Sequence, residues 1–300
     1  MVIKNRSRIC LIISAVIIVA ALLLHLFGMG INLGIDFSGG LSMQYDMKTA
    51  VNASDVTAVL DKMGVVDNTV QIQGANSNEV NVRIKNLDKD DVQKVQADFE
   101  AGVKEIYPEA ESVGDVNYVG PVAGETLVRN AVISVLLAAA LMLIYIAIRF
   151  DLNSGIAAVF GLLHDVLIML SFMVIFRSVI QMNSSFIAAA LTIVGYSINN
   201  TIVIFDRIRE NAKKMPTIAR EEVTNISIRE SLGRTICTTV TTLITIVALC
   251  ILGVASIREF ALPIIVGILS GVYSANMING YVWAFLEEKR ASRKAKGKKA

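Results

Sequence analysis

Four groups of polar residues lie inside long apolar stretches or at their ends, and their types limit the chemistry open to them. His164-Asp165 falls halfway along the apolar run 155–176. Asn199-Asn200 falls late in the run 186–205, two residues past Tyr196-Ser197, and Asp206-Arg207-Ile208-Arg209-Glu210 follows directly. Arg234 opens the next run, ahead of Thr235, Thr238, Thr239, Thr241 and Thr242. Ionisable groups in hydrocarbon are costly and usually functional. A buried carboxylate must be protonated, paired or hydrated. No basic residue sits one turn from Asp165 on its own helix, so its partner must come from another helix or chain. A proton or ion relay is the preferred reading of Asp165.

The remaining groups have plainer readings. Residues 206–210 read as an interfacial charge cluster that fixes a helix end. The threonines can simply return hydrogen bonds to their own helix backbone. Gly267-x-x-x-Gly271, with Ser270 and Ser274, permits close helix packing. His25 reads as interfacial or hydrogen-bonded structural polarity.

Soluble-enzyme chemistry finds little support. The three cysteines, Cys10, Cys237 and Cys250, lie in or beside apolar stretches without disulfide-framework or zinc-ligand spacing. The two histidines, His25 and His164, both fall inside apolar runs. There is no Ser/His/Asp order, glycine-rich phosphate loop or nucleophile elbow. The expectation is a protein that is not an enzyme, with no catalytic residues, cofactor or metal.

These residues must be held by membrane-spanning helices. Hydrophobic residues make up 54% of the 300 while charged residues still reach 18%, so the apolar residues are segregated into blocks. Six blocks approach the ~20 residues needed to cross hydrocarbon. They cover 9–28, 128–148, 155–176, 186–205, 235–252 and 261–285. The first follows Lys4, Arg6 and Arg8; it is long enough to span and lacks a small-x-small cleavage pattern, so it reads as an uncleaved anchor. Residues 1–8, the 149–154 connection, the loop 206–234 and the tail 286–300 together carry 18 of the 28 basic residues. The short loops on the other side carry Arg177 and Arg258. Both termini are therefore expected in the cytoplasm. The tail from Lys289 to Lys299 reads as a topology determinant and a contact for anionic membrane lipids, and nucleic-acid binding is not expected.

Between the first two spans lies a polar segment, 32–125, where acids outnumber bases by 16 to 8 over residues 31–129. Leu41, Met43, Tyr45 and Met47 alternate with polar residues, as in a half-buried strand. Val56, Val59, Leu60 and Met63 fall at helical spacing, opened by Asn52-x-x-Asp55 and closed by Gly64. Residues 70–73 and 80–85 alternate again around Gly-Ala-Asn-Ser-Asn, a hairpin signal. Val92, Val95, Phe99, Val103 and Ile106 predict a second amphipathic helix, from Asp88 to before Pro108. A weak last strand covers 113–119. The order βαββαβ is that of a ferredoxin-like unit. The expected fold is an α-helical membrane protein with six transmembrane helices and a small α+β ferredoxin-like extracytosolic domain between helices one and two.

With these motifs in place, the chain resembles the SecD/SecF family of protein-export membrane proteins, on its SecF side, within the resistance-nodulation-division superfamily. The likeness runs over nearly the whole chain. It includes Gly34-Ile-Asp36-Phe-Ser-Gly39-Gly40 after the first span, Arg149-Phe150 after the second and His164-Asp165 in the third. It continues through Gly195-Tyr-Ser-Ile-Asn-Asn200-Thr-Ile-Val-Ile-Phe-Asp206-Arg207-Ile-Arg-Glu-Asn211 and Arg234-Thr-Ile-Cys-Thr-Thr-Val-Thr-Thr242. The resemblance implies partnership with SecD and the SecYEG channel, with YajC and YidC as further partners. It also implies gradient-driven help to preproteins leaving on the outer side. The family usually places an aspartate, implicated in proton coupling, where Asn200 stands. Asparagine can hydrogen-bond but cannot exchange a proton in this pH range. A sodium-linked variant, a relay through Asp165, and coupling resident mainly in SecD all stay open. The competing class is a small-solute exporter of the same superfamily. Such exporters usually carry two similar halves, whereas this chain has one six-helix unit. A passive scaffold would leave Asp165 and Arg234 unexplained.

Overall fold

The computed structural model describes all residues except 1–2, 74–76, 86, 114–115, 179, 254 and 298–300. Its contacts divide into a helical unit (residues 1–31, 133–180 and 185–300) and a mixed unit (residues 32–132 and 181–184). In chain order the first elements are α1 (Ile3–Leu26), the single turn α2 (Ile35–Ser38), β1 (Gly40–Asp46), α3 (Ala53–Lys62), β2 (Asn68–Gln73) and β3 (Glu79–Ile84). Then come α4 (Val92–Ile106), β4 (Glu111–Ser112), β5 (Asn117–Val119), α5 (Pro121–Arg149) and α6 (Leu152–Ile175). The chain continues with α7 (Ser184–Lys214), α8 (Arg220–Leu252), α9 (Ala255–Ser274), a π-helical turn (Ala275–Asn279) and α10 (Gly280–Gly297).

In the mixed unit the strands stand in the order β2-β3-β1-β4, with β5 also on β1, and every pair is antiparallel. That is the ferredoxin-like arrangement the sequence predicts. The alternation of β1 has the expected cause: Leu41, Met43, Tyr45 and Met47 are all buried, beneath Val56, Val59 and Leu60 of α3 and Phe99 and Val103 of α4. Tyr45 and Phe99 meet with ring centroids 5.3 Å apart. Burial, with the charge of Glu100 behind it, pushes the Tyr45 phenol up to about 12, so it packs as a neutral ring. Gly64, at φ +76, ends α3 in the left-handed region that glycine adopts without strain. Asn52 makes no side-chain cap; Asp55 instead accepts from the Tyr107 hydroxyl at 3.0 Å and ties α3 to the end of α4. The expected last strand is two short ones, β4 and β5, with residues 114–115 between them outside the described set. The middle of the expected hairpin turn, 74–76, lies outside it too.

Among the described residues, six helices are long and apolar enough to cross a membrane: Ser7–Leu26, Val122–Arg149, Leu152–Ile175, Ser184–Lys214, Arg220–Leu252 and Ile257–Ser292. Several overrun the apolar blocks. The fourth continues through the charge cluster to Lys214, and the fifth begins at Arg220, so little of 206–234 is loop. Ion pairs at helical spacing explain this: Arg207 pairs with Glu210 (2.6 Å) and Glu210 with Lys214 (2.7 Å). The cluster therefore prolongs the helix where the sequence suggested its end. Small residues of α6 take part in the core of the helical unit: Ala157 and Ala158 are buried, and Gly161 lies against Asn279 of the π turn. By contrast α1, α5 and α8 leave most of their apolar side chains exposed, including Ile12, Val16, Leu136, Leu137 and Ile244.

Candidate functional site

The helical unit gathers its polar side chains around Asp165, whose surface is 0% exposed. Four groups from three helices bind the carboxylate. Ser197 of α7 donates to Oδ2 at 2.5 Å, and Ser274 of α9 donates to the same oxygen at 2.8 Å. Ser270 of α9 donates to Oδ1 at 2.7 Å, and Nδ1 of His164 lies 2.9 Å from that oxygen. Close packing makes this possible. A Cβ on Gly267 would come within 2.4 Å of Ile193, and one on Gly271 within 3.3 Å of the Ser197 backbone. Glycine at both positions thus brings α9 onto α7, and Ser270 and Ser274 onto the carboxylate. His164 and Asp165 are adjacent in sequence and buried on α6. The serines thus satisfy an acid that no lysine or arginine pairs with among the described residues.

From Asp165 the contacts lead on through His164. Its Nε2 is hydrogen-bonded to Ser14 Oγ at 2.7 Å, and Ser14 stands 3.5 Å from the Tyr273 hydroxyl. Tyr273 donates to the Cys10 carbonyl at 2.5 Å and stacks on the His164 ring at 5.9 Å. Serine and tyrosine hydroxyls both donate and accept, and imidazole carries a proton on either nitrogen. The chain Asp165–His164–Ser14–Tyr273 can therefore reverse its hydrogen-bond direction without moving a backbone.

A second polar patch lies beside the first. Thr201 returns a bond to the Ser197 carbonyl (3.1 Å) and accepts from Asn279 Nδ2 (2.9 Å). Gly161 leaves room for Asn279: a Cβ there would fall 2.1 Å from its amide oxygen. Asn276 and Asn279 sit in the π turn, a distortion that recurs at functional sites. Asn200 is buried on α7, and its Nδ2 has no hydrogen-bond partner among the described residues.

The other sequence-selected residues lie elsewhere. Asn199 is exposed on α7, whereas Asn200 beside it is buried. Arg234 is exposed on α8 and makes no ion pair with Asp165 among the described residues. Thr235, Thr238, Thr239, Thr241 and Thr242 all bond back to carbonyls of α8, and Thr239 also accepts from Tyr196 at 3.2 Å. Asp206 lies 3.8 Å from Arg149, while Arg207 pairs with Glu230 of α8 at 2.7 Å. In the mixed unit, Asp36 Oδ2 accepts from the Ser184 backbone N–H at 2.8 Å, where α7 starts. Gly39 and Gly40 have φ of +71 and +124, and a Cβ on Gly40 would lie 2.1 Å from the Ile84 carbonyl oxygen. The Gly-Gly pair is thus a backbone requirement at the sheet's entry, and His25 is an exposed residue near the end of α1.

Two family models match the chain. The model described as "Protein export membrane protein SecD/SecF, C-terminal" covers residues 98–289, and the "SecD/SecF GG Motif" covers residues 26–51. The chain belongs to the SecD/SecF family of protein-export membrane proteins. Among its relatives, the protein translocase subunit SecF of Thermodesulfovibrio yellowstonii is 40% identical over 247 residues, 81% of this chain and 80% of that one. The SecF subunit of Alicyclobacillus acidocaldarius is 36% identical over 98% of this chain and 95% of that one. A crystal structure of SecDF, a translocon-associated membrane protein from Thermus thermophilus, superposes with a TM-score of 0.82 at 31% identity. It takes in 95% of this chain and 38% of the longer SecDF chain. The match to SecD/SecF proteins along both units identifies a multi-pass membrane protein of that family.

Sequence reasoning missed Ser14, Tyr273 and the ligand role of Ser270 and Ser274. The serines sit beside the glycine motif, where small residues read as packing alone. A signal was present: Ser270 and Ser274 are four apart and so lie on one face of their helix, as a shared ligand requires.

Proposed function

We propose that this chain is an accessory subunit of the Sec protein-export machinery that acts with SecD to promote preprotein translocation across the inner membrane, driven by the transmembrane ion gradient. It is not an enzyme. SecYEG, YajC and YidC are its further partners, and the mixed unit faces the outer side. One observation carries the reading: Asp165 is fully buried, bound by three serines and a histidine, and free of a lysine or arginine partner among the described residues. A fixed cation would lock the carboxylate in its charged form; hydroxyls do not. When Asp165 is ionised, the serine O–H groups donate to it; when it is neutral, its own O–H donates and a serine oxygen accepts. The site can hold either form in place, as an exchangeable ion carrier must. The exposed apolar faces of α5 and α8 offer surface on which SecD can pack.

The test is preprotein translocation into inverted membrane vesicles, with the proton and sodium gradients collapsed separately. Asp165→Asn keeps the shape of the side chain and removes the exchangeable site. It should leave gradient-independent translocation and copurification with SecD intact while abolishing stimulation by the gradient. Full stimulation of the Asp165→Asn protein under both gradients would make Asp165 a structural group and sink this reading.

A further inference from the structure

A cavity of about 310 Å³ opens between α6, α7, α8 and α10, where the apolar runs 186–205 and 261–285 give way to charged residues. Phe205, Ile208 and Trp283 give it an apolar floor, and Arg209, Lys213, Arg220 and Arg290 give it a cationic rim. Its two acids are already engaged. Asp151 caps α6, accepting from the Ser154 hydroxyl at 2.5 Å, and Glu287 accepts from Asn153 Nδ2 and lies 3.7 Å from Arg290. Arg209 and Arg220 donate to the backbone carbonyls of Arg149 (3.2 Å) and Ala212 (3.5 Å), and neither they nor Lys213 make an ion pair among the described residues. Trp283 is buried, with 6% of its surface exposed, and its indole N–H has no partner among the described residues. Three cations without anions among the described residues and an unsatisfied buried donor therefore line one half-apolar pocket.

We infer that this cavity binds a phosphate group, and that its occupant is the headgroup of an anionic phospholipid. The cations and the indole N–H supply charge and donors to the phosphate oxygens. The apolar floor supplies the surface along which the first part of an acyl chain can run. A soluble phosphate would use the rim and leave the floor bare. Basic pockets between helices at the membrane surface suit such headgroups physically, since each cation near the surface adds to the attraction.

The chain's single tryptophan is Trp283, so its fluorescence reports on this pocket directly. The full chain is placed in phosphatidylcholine vesicles holding a minor fraction of brominated lipid, either phosphatidylglycerol or phosphatidylcholine. Brominated phosphatidylglycerol should quench Trp283 far more than brominated phosphatidylcholine at equal fraction. Lys213→Gln and Arg290→Gln, both in the cavity lining, should each lower that preference about fivefold, while Lys214→Gln, which removes a charge of equal sign outside that lining, should not. If quenching shows no preference but millimolar inorganic phosphate alters the emission in plain vesicles, the phosphate site stands with a soluble occupant. Equal quenching with no phosphate response overturns the inference. So does a preference untouched by both Lys213→Gln and Arg290→Gln, which would reflect general surface charge.

Discussion

A carboxylate in a bundle core holds its position at the cost of its hydration, and here three serine hydroxyls and one imidazole replace the lost water. The neighbouring Asn200 contrasts with it: buried on the next helix, with an amide nitrogen that no group among the described residues accepts from. An unsatisfied buried donor costs about 1–3 kcal/mol; a protonated carboxyl there presents one O–H where the amide presents two N–H donors, and it adds a titratable group. Asn200→Asp should therefore accumulate and copurify with SecD like the parent. In the vesicle assay its stimulation should lean more heavily on the proton gradient. Failure to accumulate would show that the pocket excludes a carboxyl. Outside the membrane, the Lys48 backbone N–H and Asn78 hold the Asp46 carboxyl below its usual range, with the Lys48 ammonium adding to the effect. A depressed folded-state value means that its stabilisation is present above the unfolded carboxylate pKa and is lost as pH falls through the folded value. Thermal melts in acid should show Asp46→Asn flattening that loss relative to the parent. At this level the sequence disclosed charged residues well, because an acid in an apolar run is anomalous on sight. Their hydroxyl partners were not legible, because serine in a membrane helix packs as a small residue whether or not it binds anything.

Elements were legible where one periodicity ruled. Leu41, Met43, Tyr45 and Met47 point to a single sheet face, and α3 and α4 cover it as their spacing requires. The short strands β4 and β5 were not separable, since two or three residues carry too little alternation. The length of α7 escaped for another reason: hydropathy marks where a helix leaves hydrocarbon and says nothing of where it stops. Its continuation rests on charge pairs and on Arg207, Asn211 and Glu230, which join α7 to α8 at 2.7 Å contacts. The Gly39-Gly40 turn shows a sequence motif with a purely steric cause. At Gly40 the left-handed φ alone costs a residue with a Cβ about 1–3 kcal/mol. The Ile84 carbonyl 2.1 Å from the added carbon is backbone of the paired strand and cannot rotate away. Gly40→Ala should thus lower the melting temperature of the mixed unit and open the β1–β3 pairing at Leu41 and Ile84. Hydrogen exchange at those two amides measures this, and unchanged protection there would contradict the steric account.

At the level of the whole chain, charge and helix number bear independently on orientation. The six candidate spans among the described residues are an even number, and six crossings would leave both ends of the chain on one side. The basic residues say which side. The segments joined to that side carry 18 of the 28 lysines and arginines, against Arg177 and Arg258 in the short loops opposite, and such an excess favours the cytoplasm. With the basic segments in the cytoplasm, the acidic mixed unit, which follows the first span, is expected on the far side. Lys48 ends the first strand region of that unit, one crossing from the amino terminus, and Lys214 closes α7, four crossings away. An odd and an even number of crossings put the two lysines on opposite sides whatever the orientation, and the charge excess assigns Lys214 to the cytoplasm. Fusions of a reporter active only outside the cytoplasm should therefore be active after Lys48 and silent after Lys214. The reversed pattern would mean that the basic segments do not set the orientation. Equal activity would mean that one of α5, α6 and α7, the three candidate spans between the two lysines, does not cross, and the membrane topology drawn here would have to be redrawn.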